Sequence, residues 1–154
     1  MSRAEHKYVL DSNLFIEGFR DPTANLALQQ FHRVFGPFEY LSAIVVQELR
    51  AGVRSGEDLR KLEKHVFSPF LELGRVITPS LRSWQMSGDV LATLIRQEGP
   101  AARPVTKAFG NDILLALSCR EAGLILVTRN VRDFVRIRKV VSFRFVEPWP
   151  SPRA

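Results

Sequence analysis

Short apolar runs alternate with longer amphipathic segments along this chain, and that alternation predicts an α/β fold. Two further observations agree. The clearest run, LILVT at 124–128, is unbroken and ends in a hydroxyl, the pattern of a strand covered on both faces of a parallel sheet. The 154 residues, 45% hydrophobic and 25% charged, suit one globular domain whose core needs no covalent staples. The expected architecture is three-layered: a central, mostly parallel sheet of about five short strands flanked by helices.

The elements follow in order. YVL, 8–10, is a buried strand. NLFIEGFR and PTANLALQQFHRVFG are helices, separated at Asp21-Pro22 and stopped at Gly36. Asp11 or Ser12 caps the first of them, and Ser12 is the better placed. EYL, 39–41, is a strand, and SAIVVQELRAG is a helix with Ser42 as N-cap and Gly52 as stop. EDLRKLEKHVFSPFLELG is helical, with a kink or break at Pro69. RVITP is a strand. SLRSWQMSGDVLATLIRQEG is a long helix whose apolar stripe is Trp84, Val90, Leu91, Leu94 and Ile95. KAFGNDILLALSCREAG is a helix ending at Gly123, VRDFVRI a short one after LILVT, and SFRFVEPW the last strand. Residues 1–147 thus form one domain, and 148–154, PWPSPRA, a loose Pro-rich tail.

Composition narrows the function. Cys119 is the single cysteine, so an internal disulfide and a Cys-rich zinc site are excluded and a reducing, cytoplasmic setting is expected. No run of about 18 apolar residues is present, and MSRAEHKYVL lacks the apolar core of a signal peptide, so no membrane attachment is expected. Twenty-two basic residues against 16 acidic ones leave a charge of +6, which suits a polyanionic partner such as nucleic acid.

In sheets of this kind ligands gather beyond the carboxyl ends of the strands. Asp11, Ser42 and Thr128 all fall there. Glu48 shares a helix face with Ile44, Val45, Ala51 and Gly52, a small and apolar face where a charge is costly. A plainer account has it at the edge of that face, pairing with Arg50 or Arg54. Asp112 interrupts a stripe of Leu115, Ala116 and Cys119, unless it caps a helix starting at Gly110-Asn111. In TRNVRDF, Asn130 and Asp133 have the spacing of a helix cap and its reciprocal acid, but Asp133 can equally face the same cleft. Taken together, Asp11, Glu48, Asp112 and Asp133 come from four separate elements. Carboxylates gathered without compensation repel one another. A hard divalent cation, Mg²⁺ or Mn²⁺, resolves that repulsion with oxygen ligands alone, and such a site acts naturally on phosphates. His6, His32 and His65 are read as ordinary contacts.

YVLDSN, QEL, NDILLALSCREAG and LVTRNVRDF stand in the order seen in PIN domains, and the chain resembles the VapC-type toxins of bacterial toxin–antitoxin pairs from about Tyr8 to Trp149. The resemblance implies a compact α/β fold and a Mg²⁺- or Mn²⁺-dependent endoribonuclease. It matches Asp11, Glu48 and Asp112 to the family's acids, Asn13 to a polar residue that orients the first acid or the metal's water, and Thr128 to the hydroxyl ending the fourth strand. Many members carry the fourth acid at the position of Asn130. Others resemble this chain, so Asp133 is matched as the fourth acid, with Asn130 as a polar support. The expected metal ligands and catalytic residues are therefore Asp11, Glu48, Asp112 and Asp133. The resemblance also implies a homodimer and a VapB-like antitoxin whose tail enters the acidic cleft.

Arg129, Arg132, Arg136, Arg138 and Lys139 lie near the expected cleft and can guide an RNA backbone, or simply form a solvated helix face. Single-stranded or looped RNA suits a cleft best, with tRNA and rRNA among the candidates. Phe31, Phe35, Phe38, Phe67 and Phe70 are read either as core or as a binding surface together with the stretch 56–73. Two rival enzyme classes fit less well. A phosphoaspartyl hydrolase would carry a second Asp where Asn13 stands, and a receiver-type domain would need further acids and a late strand-end Lys. A non-catalytic RNA- or protein-binding module with a decayed site remains the alternative, and Asn130 is what favours it.

Overall fold

A computed structural model describes residues 6–101 and 103–152. Five parallel strands, β1 (Tyr8–Leu10), β2 (Glu39–Ser42), β3 (Val76–Ile77), β4 (Ile125–Val127) and β5 (Phe145–Val146), form one sheet in the order β3-β2-β1-β4-β5. Parallel strands cannot be joined by hairpins, so each connection crosses over through helix. The helices are α1 (Ser12–Arg20), α2 (Pro22–Phe35), α3 (Ala43–Ala51), α4 (Gly56–Leu62), α5 (Ser68–Glu72), α6 (Leu81–Glu98), α7 (Lys107–Ala122) and α8 (Val131–Arg138). This is the α/β architecture the alternation predicts.

The chain begins in the middle of the sheet, builds outward through β2 and β3, and returns past β1 to add β4 and β5 on the other side. The order therefore reverses between β1 and β4, and a crevice opens at the carboxyl ends of those two strands. β1 and β4 are buried along their whole length, which explains why both read as continuous apolar runs rather than alternating ones. Their register pairs Leu10 with Val127, so the next residues, Asp11 and Thr128, emerge side by side.

Three expectations need correction. Asp11, not Ser12, caps α1: its Oδ1 accepts the Ser12 amide at 2.8 Å. α6 does bury Val90 and Leu94, and Leu91 packs on the core with Met86, but Ser83 and Ser87 are buried on the same side, while Trp84 and Ile95 are each 55% exposed. The reason lies on α7. Glu121 accepts the hydroxyls of Ser80 and Ser83, so the small polar edge of α6 turns toward α7 and the larger residues turn out. And the alternative in which Asp112 caps a helix starting at Gly110-Asn111 fails: α7 starts at Lys107, as the helical reading of KAFGNDILLALSCREAG expects, and Thr106 Oγ1 accepts the Phe109 amide at 3.1 Å. It ends as expected at Gly123, whose φ of +70° no other residue adopts cheaply.

The expected break at Pro69 takes the form of a π-helical segment, Glu63–Phe67, inserted between α4 and α5. Pro69 then sits in the first turn of α5, where its missing N–H removes no helical bond. Phe31 and Phe67 are buried, Phe35 and Phe70 pack on the core, and Phe38 is half-buried, so the aromatics of this region are mainly structural. Trp149 packs on Phe31 with ring centroids 5.3 Å apart, which anchors the Pro-rich end to that point; Arg153 and Ala154 lie outside the described residues. Among the described residues no helix is long and apolar enough to cross a membrane. Leu115 on α7 is fully buried, so Leu115→Ala is expected to destabilise the fold by about 2–5 kcal/mol in urea unfolding, through lost contacts and a cavity.

Candidate active site

The β1–β4 register creates the first part of the site. Thr128, fully buried, donates its hydroxyl to Asp11 Oδ2 at 2.7 Å. Asn13, the second residue of α1, donates its amide to the same carboxylate oxygen and to Thr128 Oγ1, both at 3.4 Å. Asp11 is 4% exposed. Burial raises its pKa, and the hydrogen bonds from Thr128 and Ser12 oppose that rise. Asp11 thus both caps α1 and faces the crevice.

Helices deliver the other acids. Ser42 ends β2 and caps α3 by accepting the Ile44 amide at 3.1 Å, and that start carries Glu48 over the strand ends. Burial lifts the Glu48 carboxyl to a pKa of about 7, with the negative charge of Asp11 as the next cause. The simple surface pairing does not occur, because Arg50 pairs with Glu63 instead. Asp112 lies in the second turn of α7, past the true cap at Thr106, and is 8% exposed. Its pKa rises to about 8, first through burial and then through the charges of Asp11, Glu48 and Asp133. Asp112 therefore experiences all three of the other acids, which is the convergence expected of these four residues.

The residues around α8 depart from the capping-box pattern. Asn130 makes no side-chain cap, and its backbone N–H goes to Thr128 Oγ1 at 3.0 Å rather than to Asp133. Its amide Nδ2 instead donates to Asp112 Oδ2 at 3.2 Å and to Asp133 Oδ2 at 3.0 Å. Asp133 thus faces the other acids, and Asn130 stands between two of them. Ser12 is an addition that sequence reading treated only as a cap: its hydrogen bonds lower the pKa of both Asp11 and Glu48. A hydroxyl directly after a strand-end acid was the only sign of it.

Of the basic residues, Arg129 Nε holds Glu17 at 2.6 Å, and Arg136 grips Glu98 while lying 4.3 Å over the Phe109 ring. Those two guanidiniums are committed within the fold. Arg138 sits over Phe145, and Arg132 and Lys139 are exposed. His32 bonds the buried Glu39 through Nδ1 at 2.6 Å, away from the acids, as an ordinary contact.

The chemistry of these donors fits a hard divalent ion. The set is carboxylate and amide oxygen, and two of its oxygens, Glu48 Oε1 and Asn13 Oδ1, are buried without a hydrogen-bond partner. Among the described residues, however, no three Asp, Glu, His or Cys side chains stand close enough to grip an ion as they are oriented. The acids are instead bonded to neutral donors: Thr128 holds Asp11, and the Asn130 amide holds Asp112 and Asp133. Beside the acids, Glu48 also lines a cleft of about 570 Å³ between α1, α3 and α4, walled by Ile16, Leu49 and Val53 and rimmed by Phe19, which is 56% exposed.

No protein-family model matches the chain, and no curated protein matches it significantly. Solved structures do. A chain of DNA-bound VapBC from Salmonella typhimurium superposes with a TM-score of 0.68 at 24% identity, covering 93% of this chain and 98% of that one. FitAcB from Neisseria gonorrhoeae gives 0.66 at 20% identity, covering 94% and 99%. VapBC-1 from nontypeable Haemophilus influenzae gives 0.61 at 23% identity, covering 91% and 96%. The chain has the PIN-like fold of these proteins over nearly its full length.

The raised carboxyls set a pH dependence. Glu48 and Asp112 retain a proton in the folded state at a pH where the unfolded chain, with carboxyls near 4, has released it. Their contribution to stability is therefore complete below about pH 4 and is lost as pH rises through about 7 to 8. In EDTA, Asp112→Asn is expected to raise Tm relative to the wild type by an amount that grows from pH 6 to pH 9. Thermal melts across that range check this, and a constant difference would contradict it.

Proposed function

We propose that this protein is a Mg²⁺- or Mn²⁺-dependent endoribonuclease, the toxin of a type II toxin–antitoxin pair. The observation that carries the proposal is the gathering of Asp11, Asp112 and Asp133 around Thr128 and Asn130 at the β1–β4 crevice, with Glu48 close enough for its charge to bear on Asp112. A binding module has no need to gather four acids, two of them buried, against their own repulsion. The likeness in fold to chains of VapBC and FitAB complexes supports the same reading.

Asp11, Glu48 and Asp112 would hold the ion, with Asp133 as the fourth acid and Asn13 presenting its unpartnered Oδ1. Bound there, a divalent ion supplies a water of lowered pKa and neutralises charge building on a phosphodiester. Thr128 and Ser12 donate to Asp11 and oppose the rise in its pKa that burial causes. A carboxylate of the cluster that the ion leaves free would be suited to accept the proton of the attacking water. Arg132 and Lys139, exposed beside the crevice, are the basic groups available to an RNA backbone. An open cleft favours single-stranded or looped RNA.

The cleft beside Glu48 suits an antitoxin segment, since its apolar walls accept a helix or strand and its acidic end accepts an Arg. The exposed Leu81, Trp84 and Ile95 on α6 offer an apolar surface for a second copy of the chain. The single buried Cys119 suits a reducing cytoplasm.

Incubation with total cellular RNA and Mg²⁺ tests the activity. Wild type is expected to produce new, discrete RNA ends, and Asp11→Asn or Asp112→Asn to lower cleavage by more than ~100-fold, beyond what loss of an outer-shell partner causes. Undiminished cleavage in either variant would overturn the assignment. An inert wild type whose Tm Mn²⁺ leaves unchanged would favour the non-catalytic binding module.

A further inference from the structure

We infer that Asn130 is a positioning residue that restricts the acidic cluster to one divalent ion, because its side-chain amide stands between Asp112 and Asp133. The inference rests on the metal-dependent reading above and specifies it. Residue 130 directly precedes α8, where an Asn side chain ordinarily turns its oxygen toward the helix amides. Here it forms no such cap. The amide nitrogen carries two hydrogens, and each has a carboxylate: Asp112 Oδ2 at 3.2 Å and Asp133 Oδ2 at 3.0 Å. Reversing the amide would set its oxygen against two acids, so the surrounding charges fix its orientation.

Asn130 is itself held. Its backbone N–H donates to Thr128 Oγ1 at 3.0 Å, and Thr128 donates onward to Asp11 Oδ2 at 2.7 Å. One continuous series of bonds therefore links Asp11, Thr128, Asn130, Asp112 and Asp133. Asp112 Oδ2 and Asp133 Oδ2 share this one amide nitrogen, so an ion bridging the two oxygens would compete with it for both. The unpartnered oxygens are on different residues, Glu48 Oε1 and Asn13 Oδ1. The single ion accordingly belongs with Asp11, Glu48 and Asp112, and Asp133 acts through Asn130 rather than by direct ligation. An acid at position 130 would remove the donor, add an anionic oxygen pair and open the Asp112–Asp133 side to a second ion.

Isothermal titration of the metal-stripped full chain with Mn²⁺ alone tests this, with Tm in EDTA as the control for folding. The wild type is expected to bind one Mn²⁺ and Asn130→Asp to bind two. Asn130→Ala is expected to keep one site, weakened about tenfold, as for loss of a partner that orients a ligand. One site of unchanged affinity in both variants would overturn the inference while leaving the metal-dependent reading intact. Two sites in the wild type would also overturn it. Absence of any Mn²⁺ binding by the wild type would instead overturn the metal-dependent reading itself, and this inference with it. If Asn130→Asp does not fold, the wild-type stoichiometry and Asn130→Ala decide together: one wild-type site with a tenfold loss in Asn130→Ala supports the inference, and two wild-type sites or unchanged affinity contradicts it.

Discussion

The pairing of β1 with β4 is the constraint on which the site depends. Its register brings Asp11 and Thr128 out of the sheet as neighbours, and the Thr128 hydroxyl reaches Asp11 at 2.7 Å. A slip of one residue between the strands would turn one of the two side chains to the opposite face and part them. The same pairing marks the point where strand order reverses, so the crevice and its first acid share one cause. Apart from Glu48, the members of the cluster are referred to this pair: Asn13 to Asp11 and Thr128, Asn130 to Thr128, and Asp112 and Asp133 to Asn130.

The cluster works against the fold that holds it. Burial and mutual repulsion lift Glu48 and Asp112 toward neutral pH, a strain that a stability-selected core would discard. Hydrogen bonds from Thr128, Ser12 and Asn130 relieve it only in part, since Glu48 Oε1 and Asn13 Oδ1 stay without partners. The helices carry the charged groups in from different directions, so no single substitution elsewhere dissolves the arrangement. The apolar walls next to Glu48 add a surface that a partner, rather than the chain itself, would cover.

Much of this was legible in the sequence, because burial patterns are local. Continuous apolar runs identified β1 and β4, and an acid interrupting an apolar helix face identified Glu48 and Asp112. The ambiguities arose where one residue type serves two purposes. Asp112 looked like a cap because Gly110-Asn111 resembles a helix start, whereas Thr106 starts the helix a turn earlier. Asn130 and Asp133 have capping-box spacing, and only the three-dimensional position of Asp112 diverts the Asn130 amide from that use. Trp84 and Ile95 were misplaced in the stripe on α6 because Glu121, distant in sequence, draws the serine edge inward. Arg129 and Arg136 looked free to meet RNA, but Glu17 and Glu98 come from distant elements that sequence spacing does not reveal.

The central claim is that these acids exist to hold a divalent ion at the β1–β4 crevice. Anomalous scattering from a crystal of the full chain soaked in Mn²⁺ tests it most directly. A peak within ligand distance, ~2.2 Å, of carboxylate oxygens of Asp11 and Asp112 is the predicted result. Full Mn²⁺ exposure with no peak in the crevice, while the four acids remain ordered around it, would contradict the claim.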